Sequence, residues 1–167
     1  MYTNNKVGNV IYKVIEYFGD DVRRINHFLK VYGYVKLIGE CENLDDSMQE
    51  ILEVTAVLHD VGIKVAEQKY NSSAGHYQQL EGPPVVKKIL DELGYPDDFV
   101  ERVMYLIAHH HTYTNIDGMD YQILVEADFL VNADEDRLSS DAIENFKEKI
   151  FKTTTGIAVL ENNYLNL

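Results

Sequence analysis

An all-helical single domain is predicted by three features of this 167-residue chain. Apolar residues recur at i, i+3, i+4 and i+7 in almost every segment, which is the signature of one face of an α-helix. No period-2 alternation outlasts a few residues, so strands lack their pattern. The length suits one full core and is short for two, and no stretch has the composition of a linker, so residues 1–167 are expected to form one helical bundle.

Two stripes run from Asn9 to Gly39. Val10, Val14, Tyr17 and Phe18 form the first, and Val22, Ile25, Phe28, Leu29, Tyr32 and Val35 form the second. Gly19-Asp20-Asp21 separates them, with Asp20 or Asp21 placed to cap the second helix. His27 stands beside the second stripe, where a lone histidine is ordinarily a packed or surface side chain. Gly39 to Asp46 reads as a loop, and Leu44-Asp45-Asp46-Ser47 caps the next helix. In that helix Ile51, Val54, Thr55 and Leu58 repeat at core spacing, and its last turn is expected to break at Gly62, just after His59-Asp60. A divalent cation would satisfy a buried imidazole and carboxylate at once. The plain alternative is a helix C-terminus where His59 meets the dipole and Asp60 begins a turn.

Glu67 to Gly75 is polar, with Asn71-Ser72-Ser73-Ala74-Gly75 as a loop signal. Pro83-Pro84 is expected to open a helix through Val85, Val86, Ile89, Leu90 and Leu93 that stops at Gly94. Asp97-Asp98 caps a helix from Phe99 to about His111, whose face is Val100, Val103, Met104 and Ile107. At 100° per residue His110 and His111 continue the edges of that face, and His109 points away. A triple histidine can be a solvated turn, but its place in mid-chain after a buried face favours a metal or phosphate role. Thr112 to Gly118 reads as a loop. Tyr121 to Asn132 is helical, with Asp128 beside the stripe of Ile123, Leu124, Ala127, Leu130 and Val131. The last helix is expected from Ser140 or Asp141 to about Phe151, followed by a polar loop at Thr153-Thr154-Thr155-Gly156 and a short apolar tail.

Fifteen Lys and Arg against 28 Asp and Glu give a net charge of −13, a field that repels nucleic-acid polymers and anionic lipid. The single cysteine, Cys41, excludes an internal disulfide. The opening MYTNNKVGNV lacks the charged and apolar regions of a secretion signal, and no run approaches the roughly 18 apolar residues that span a bilayer, so a cytoplasmic location is expected. The chain has no Gly-rich phosphate loop, no Ser/His/Asp arrangement and no paired cysteines.

His27, His59, Asp60 and Asp128 fall on three different predicted helices, at or beside the apolar faces, so packing those helices could bring the four to one point. Their order resembles the HD-domain superfamily of metal-dependent phosphohydrolases, in which a histidine is followed by an adjacent His-Asp pair and then by a distant aspartate on a later helix. Thirty-two residues separate His27 from His59, and sixty-eight separate Asp60 from Asp128 in Val125-Glu126-Ala127-Asp128. The resemblance spans about Val22 to Asn132. It implies a helical bundle around one or two divalent cations held by His27, His59, Asp60 and Asp128, with hydrolysis of a phosphate ester or anhydride, commonly in a nucleotide.

Two departures bear on the number of ions. Members with two metals usually carry another histidine four residues before a glycine; counting back from Gly82 lands on Gln78, and His76 lies two residues earlier. Many members also carry lysine three residues after the aspartate, where this chain has Ile63, with Lys64 one later. A later His-His pair is matched by His110 and His111 or by His109 and His110. One ion is therefore expected, a second at His110 and His111 being incomplete.

Two imidazoles and two carboxylates suit Mn²⁺, Fe²⁺, Co²⁺, Ni²⁺ or Zn²⁺, whereas Mg²⁺ and Ca²⁺ prefer oxygen alone. Such an ion would acidify a bound water and polarise a phosphate. Asp60, Lys64, His110 and His111 are expected to make up the catalytic group, the last three neutralising phosphate charge. The partner expected is a small phosphorylated substrate of the nucleotide kind, although no motif for adenine or guanine is visible. The alternative is a metal-holding or nucleotide-sensing module without turnover.

Overall fold

The computed structural model describes residues 6–165, and among the described residues the regular structure is entirely helical. Residues 1–5 of the opening stretch read above for a secretion signal lie outside the described residues. The helices are α1 (Lys6–Phe18), α2 (Val22–Cys41), α3 (Asp46–Leu58), α4 (Gly62–Tyr70), α5 (Gly75–Glu92), α6 (Asp97–His109), α7 (Met119–Glu135), α8 (Ser140–Ile150) and α9 (Thr154–Leu160), closed by a π-helical turn at Glu161–Leu165. None of them is long and apolar enough to cross a membrane.

The caps behave as short polar side chains should. Asp21 accepts a hydrogen bond from Arg24 N and Asp45 accepts one from Met48 N, each filling one of the donors left free in a first helical turn. α3 is buried on every side from Leu52 to Leu58 because it runs between two apolar clusters. Leu52 and Ala56 join Val31, Val35, Leu124 and Leu130 in one, while Val54, Val57 and Leu58 join Val14, Phe28, Leu90 and Val103 in the other. A helix buried on all sides is a helix at the middle of a bundle. The end of α3 is therefore delivered, with its polar residues, into the interior.

Three elements differ from the sequence expectation, each for a packing reason. Gly62 begins a helix instead of breaking one: Val61 N bonds to Leu58 O and Ile63 N to Asp60 O, and His59 and Val61 on either side of Asp60 both keep helical backbone angles as the chain turns from α3 into α4. Glycine is needed there for close approach, since a Cβ would lie 2.5 Å from Gln78 O and 2.8 Å from Gly82 N on α5. Second, α5 starts at Gly75 and carries Pro83-Pro84 in its interior. Its first half is tied to α4 by Glu81, which accepts from Lys69 Nζ and the Tyr70 hydroxyl at 2.7 Å each. Third, the polar run after α8 caps α9 instead of forming a loop before a tail. Thr153 accepts from Gly156 N at 2.9 Å, while buried Glu126 on α7 receives Lys152 N, Thr153 N and the Thr153 hydroxyl.

Candidate metal centre

Three parts of the bundle supply the centre: α2 brings His27, the α3–α4 turn brings His59 and Asp60, and α7 brings Asp128. α7 packs against both α2 and α3, which closes the ring. His27 Nε2 lies 3.3 Å from His59 Nε2, 3.3 Å from Asp128 Oδ1 and 3.5 Å from Asp60 Oδ2. His59 Nε2 lies 3.5 Å from Asp60 Oδ2 and 3.5 Å from Asp128 Oδ1. His59 is fully buried and His27 and Asp128 nearly so, whereas Asp60 opens onto a cleft.

The far nitrogen of each imidazole fixes which nitrogen faces inward. His59 Nδ1–H donates to Ala56 O at 2.8 Å, and His27 Nδ1–H donates to Glu135 Oε2 at 2.9 Å, with Lys30 3.0 Å from the other oxygen of Glu135. The two Nε2 lone pairs then face each other and two carboxylates. That arrangement repels itself unless a cation, either a proton or a metal ion, sits among the four. Burial opposes protonation of His59, but Asp60 and Asp128 outweigh it and lift its pKa to about 9. His27 shifts upward for the same reason. Burial likewise opposes ionisation of the two aspartates, yet the neighbouring imidazoles hold both carboxyls well below their ordinary value.

The residues present fit a transition-metal ion. Bonds of about 2.1 Å place neighbouring donors roughly 3.0–3.4 Å apart, close to the spacing among these atoms. Asp128 Oδ1 is buried without a hydrogen-bond partner, as a ligand oxygen would be before its ion arrives. Donor atoms of His27, His59 and Asp60 lie within 4.8 Å of one another, as do those of Asp60, His110 and His111, so each group could hold a metal.

The histidine run divides by function of place. His110 is buried, donates Nδ1–H to Ile107 O at 2.7 Å, and holds its unpartnered Nε2 3.8 Å from Asp60 Oδ1. His111 reaches the cleft but is clamped by α5. Gln78 Nε2 donates to Ser73 O at 2.7 Å, so its Oε1 is the acceptor that meets His111 Nε2 at 3.2 Å, and His111 must carry its proton there. Gln79 Oε1 accepts from His111 N at 3.0 Å, and the ring lies over Gly75, where a Cβ would approach it to 2.7 Å. Burial and then His110 push its pKa down to about 4. With its proton on Nε2, His111 keeps a lone pair on Nδ1, so a second ion beside Asp60 and His110 would have to meet it through that nitrogen. His109 turns away, bonded to Tyr105 O and stacked on the Tyr105 ring at 4.4 Å.

Two further candidates sit elsewhere. Lys64 does not reach the cleft: it donates to Tyr17 O at 2.7 Å and lies over the Tyr17 ring, because the outer side of α4 faces α1 and Ile63 takes the place at the cleft wall. His76 is exposed and lies on Tyr77 at 3.9 Å, so it does not replace the missing imidazole at Gln78. The cleft itself encloses about 540 Å³ and is lined on its outer part by Asp21, Arg23, Arg24, Asn132, Glu135 and Asp136. Sequence reasoning missed these. The signal lay in register, since Asn132 and Glu135 follow Asp128 by four and seven residues on one helical face, and Arg24 precedes His27 by three.

The family model of the HD domain matches residues 24–144. The crystal structure of a predicted HD superfamily hydrolase from an uncultured Thermotogales bacterium is 24% identical over 92% of this chain and 82% of that one, with a TM-score of 0.65, which establishes a shared fold. No curated protein matches the chain.

Proposed function

The chain belongs to the HD-domain family, and from that premise we propose that His27, His59, Asp60 and Asp128 hold one divalent transition-metal ion and that the protein hydrolyses a phosphate ester or anhydride of a small molecule such as a nucleotide. The observation that supports this most is the meeting of two inward lone pairs, on His27 and His59, with the unpartnered Asp128 oxygen. Bound there, an ion would supply Lewis acidity at phosphorus and an acidified water.

The chain's own residues do the rest. Glu135 and the Ala56 carbonyl orient the two imidazoles so that their Nε2 atoms face the place an ion would take. His110 holds its unpartnered Nε2 behind Asp60 at the inner end of the cleft, so as a general base it would take up the proton that water loses as it attacks phosphorus. Asp60 Oδ1, 3.8 Å away, stabilises the imidazolium that results and turns the ring toward the reacting atoms. The protonated His110 can then return its proton to the departing oxygen. Gln78 and Gln79 hold His111 beside this path, where it narrows the cleft and limits bulk water.

Phosphate release from a panel of phosphorylated compounds tests the reading, using protein stripped of metal and reloaded with Mn²⁺, Co²⁺ or Ni²⁺. Metal-dependent release that disappears in Asp60→Ala is the expected result. Stoichiometric metal with no turnover on any compound would leave a binding module, and turnover unaffected by stripping would overturn the proposal.

A further inference from the structure

The charge of the cleft outside the metal ligands carries an inference about the substrate, which rests on the phosphohydrolase reading. Five carboxylates line the cleft, those of Asp21, Asp60, Asp128, Glu135 and Asp136, against the two guanidinia of Arg23 and Arg24. One divalent ion would leave this wall with about one net negative charge. Arg24 has its charge occupied already, with Asp21 at 2.7 Å and Glu67 at 2.6 Å. Glu135 is likewise held by His27 and Lys30. Of the side chains with polar groups that line the cleft outside the metal ligands, those of Arg23, Ser73, Asn132 and Asp136 have no hydrogen bond or ion pair among the described residues.

The placement of these groups is ordered. Asp128, Asn132 and Asp136 follow one another at intervals of four along α7 and its C-cap, so at ~1.5 Å of rise per residue each step is about 6 Å outward from the centre. A ligand whose phosphorus lies at the centre would set its carrier against an amide and then a carboxylate. Those groups call for hydroxyl or N–H donors and oppose further anionic charge. Each added phosphate would have to lie along a wall that is already negative, with one free guanidinium to meet it.

We infer that the substrate is a phosphate monoester of a hydroxylated carrier, a nucleoside 5′-monophosphate or a sugar phosphate, and that nucleoside di- and triphosphates are discriminated against by the outer cleft. The test compares kcat/KM of the metal-loaded protein on a nucleoside 5′-mono-, di- and triphosphate of one base, on hexose 6-phosphate and on p-nitrophenyl phosphate. The monophosphate or the hexose phosphate should exceed the triphosphate by about 10²-fold, and which of the two is preferred identifies the carrier. Asp136→Lys should narrow the monophosphate-to-triphosphate ratio by at least about tenfold, because it exchanges the outermost negative charge for a positive one. A triphosphate cleaved as well as or better than the monophosphate by the unaltered protein overturns the inference whether or not the variant folds. p-Nitrophenyl phosphate separates the two levels: its cleavage together with a triphosphate preference removes only the substrate class, whereas no cleavage of any compound removes the reaction class as well.

Discussion

Replacing Asp128 with asparagine keeps the shape of the side chain and removes one charge from the centre, so its effect can be worked out from the geometry. Asp128 Oδ1 lies 3.3 Å from one imidazole nitrogen and 3.5 Å from the other. At an effective dielectric of ~20, a unit charge at such a distance interacts by about 5 kcal/mol, and a retained amide oxygen recovers part of that. A loss of roughly 4 kcal/mol is about 10³-fold in metal affinity. The assay is thermal unfolding with and without metal. At a concentration a thousandfold above the dissociation constant the ion adds ~4 kcal/mol to the native protein, which for a chain of this size raises Tm by about 8–16 °C. At the same concentration Asp128→Asn should rise by only about 1–2 °C above its own metal-free Tm. A variant that keeps the full metal-induced rise would show that Asp128 is not a ligand.

Other outcomes follow from the same geometry. His110→Ala should retain its metal and lose about 10²-fold to 10³-fold in kcat, whereas His109→Ala should change neither, as elemental analysis and phosphate release will show. Glu135→Gln should weaken metal binding by about 10-fold to 100-fold in a calorimetric titration, because it loosens the orientation of His27. Metal affinity should depend on pH with a definite sign. His59 holds a proton below about pH 9 in the metal-free protein, and the ion must displace it, so affinity should rise by about tenfold per unit toward pH 9 and level off above, accompanied by measurable proton release. Gly62→Ala should destabilise the fold by roughly 1–3 kcal/mol in chemical denaturation, because the added carbon meets backbone on α5 that cannot move aside.

Much of the centre was legible in the sequence because its residues sit at helix positions that periodicity locates. His27, Asp128 and His110 stand beside apolar stripes, and a stripe fixes which way a neighbour points to within about one residue. The His59-Asp60 pair announced itself as an imidazole and a carboxylate at the end of a mostly apolar helical run. What was not legible depended on contacts between elements. The lysine at position 64 has the right chemistry, but whether it faces the cleft or α1 is decided by where Tyr17 lies, forty-seven residues away. Gly62 reads locally as a helix stop, and only the approach of α5 reveals that it permits a crossing. The prolines at 83 and 84 read as a start for α5, whereas the helix begins at Gly75, and its first half is tied to α4 by Glu81, contacts that the local sequence does not display. Gln78 stands where members with two metals carry a histidine. Its effect on the tautomer of His111 required knowing that its amide is already committed to Ser73 O.

The most direct test of the account is the metal content of protein purified without an affinity tag, measured by elemental analysis beside Asp60→Ala prepared in parallel. The account predicts close to one transition-metal ion per chain in the unaltered protein and close to none in the variant. An unaltered protein that binds no metal even after incubation with Mn²⁺, Co²⁺, Ni²⁺ or Zn²⁺, or a variant that keeps a full equivalent, would contradict it.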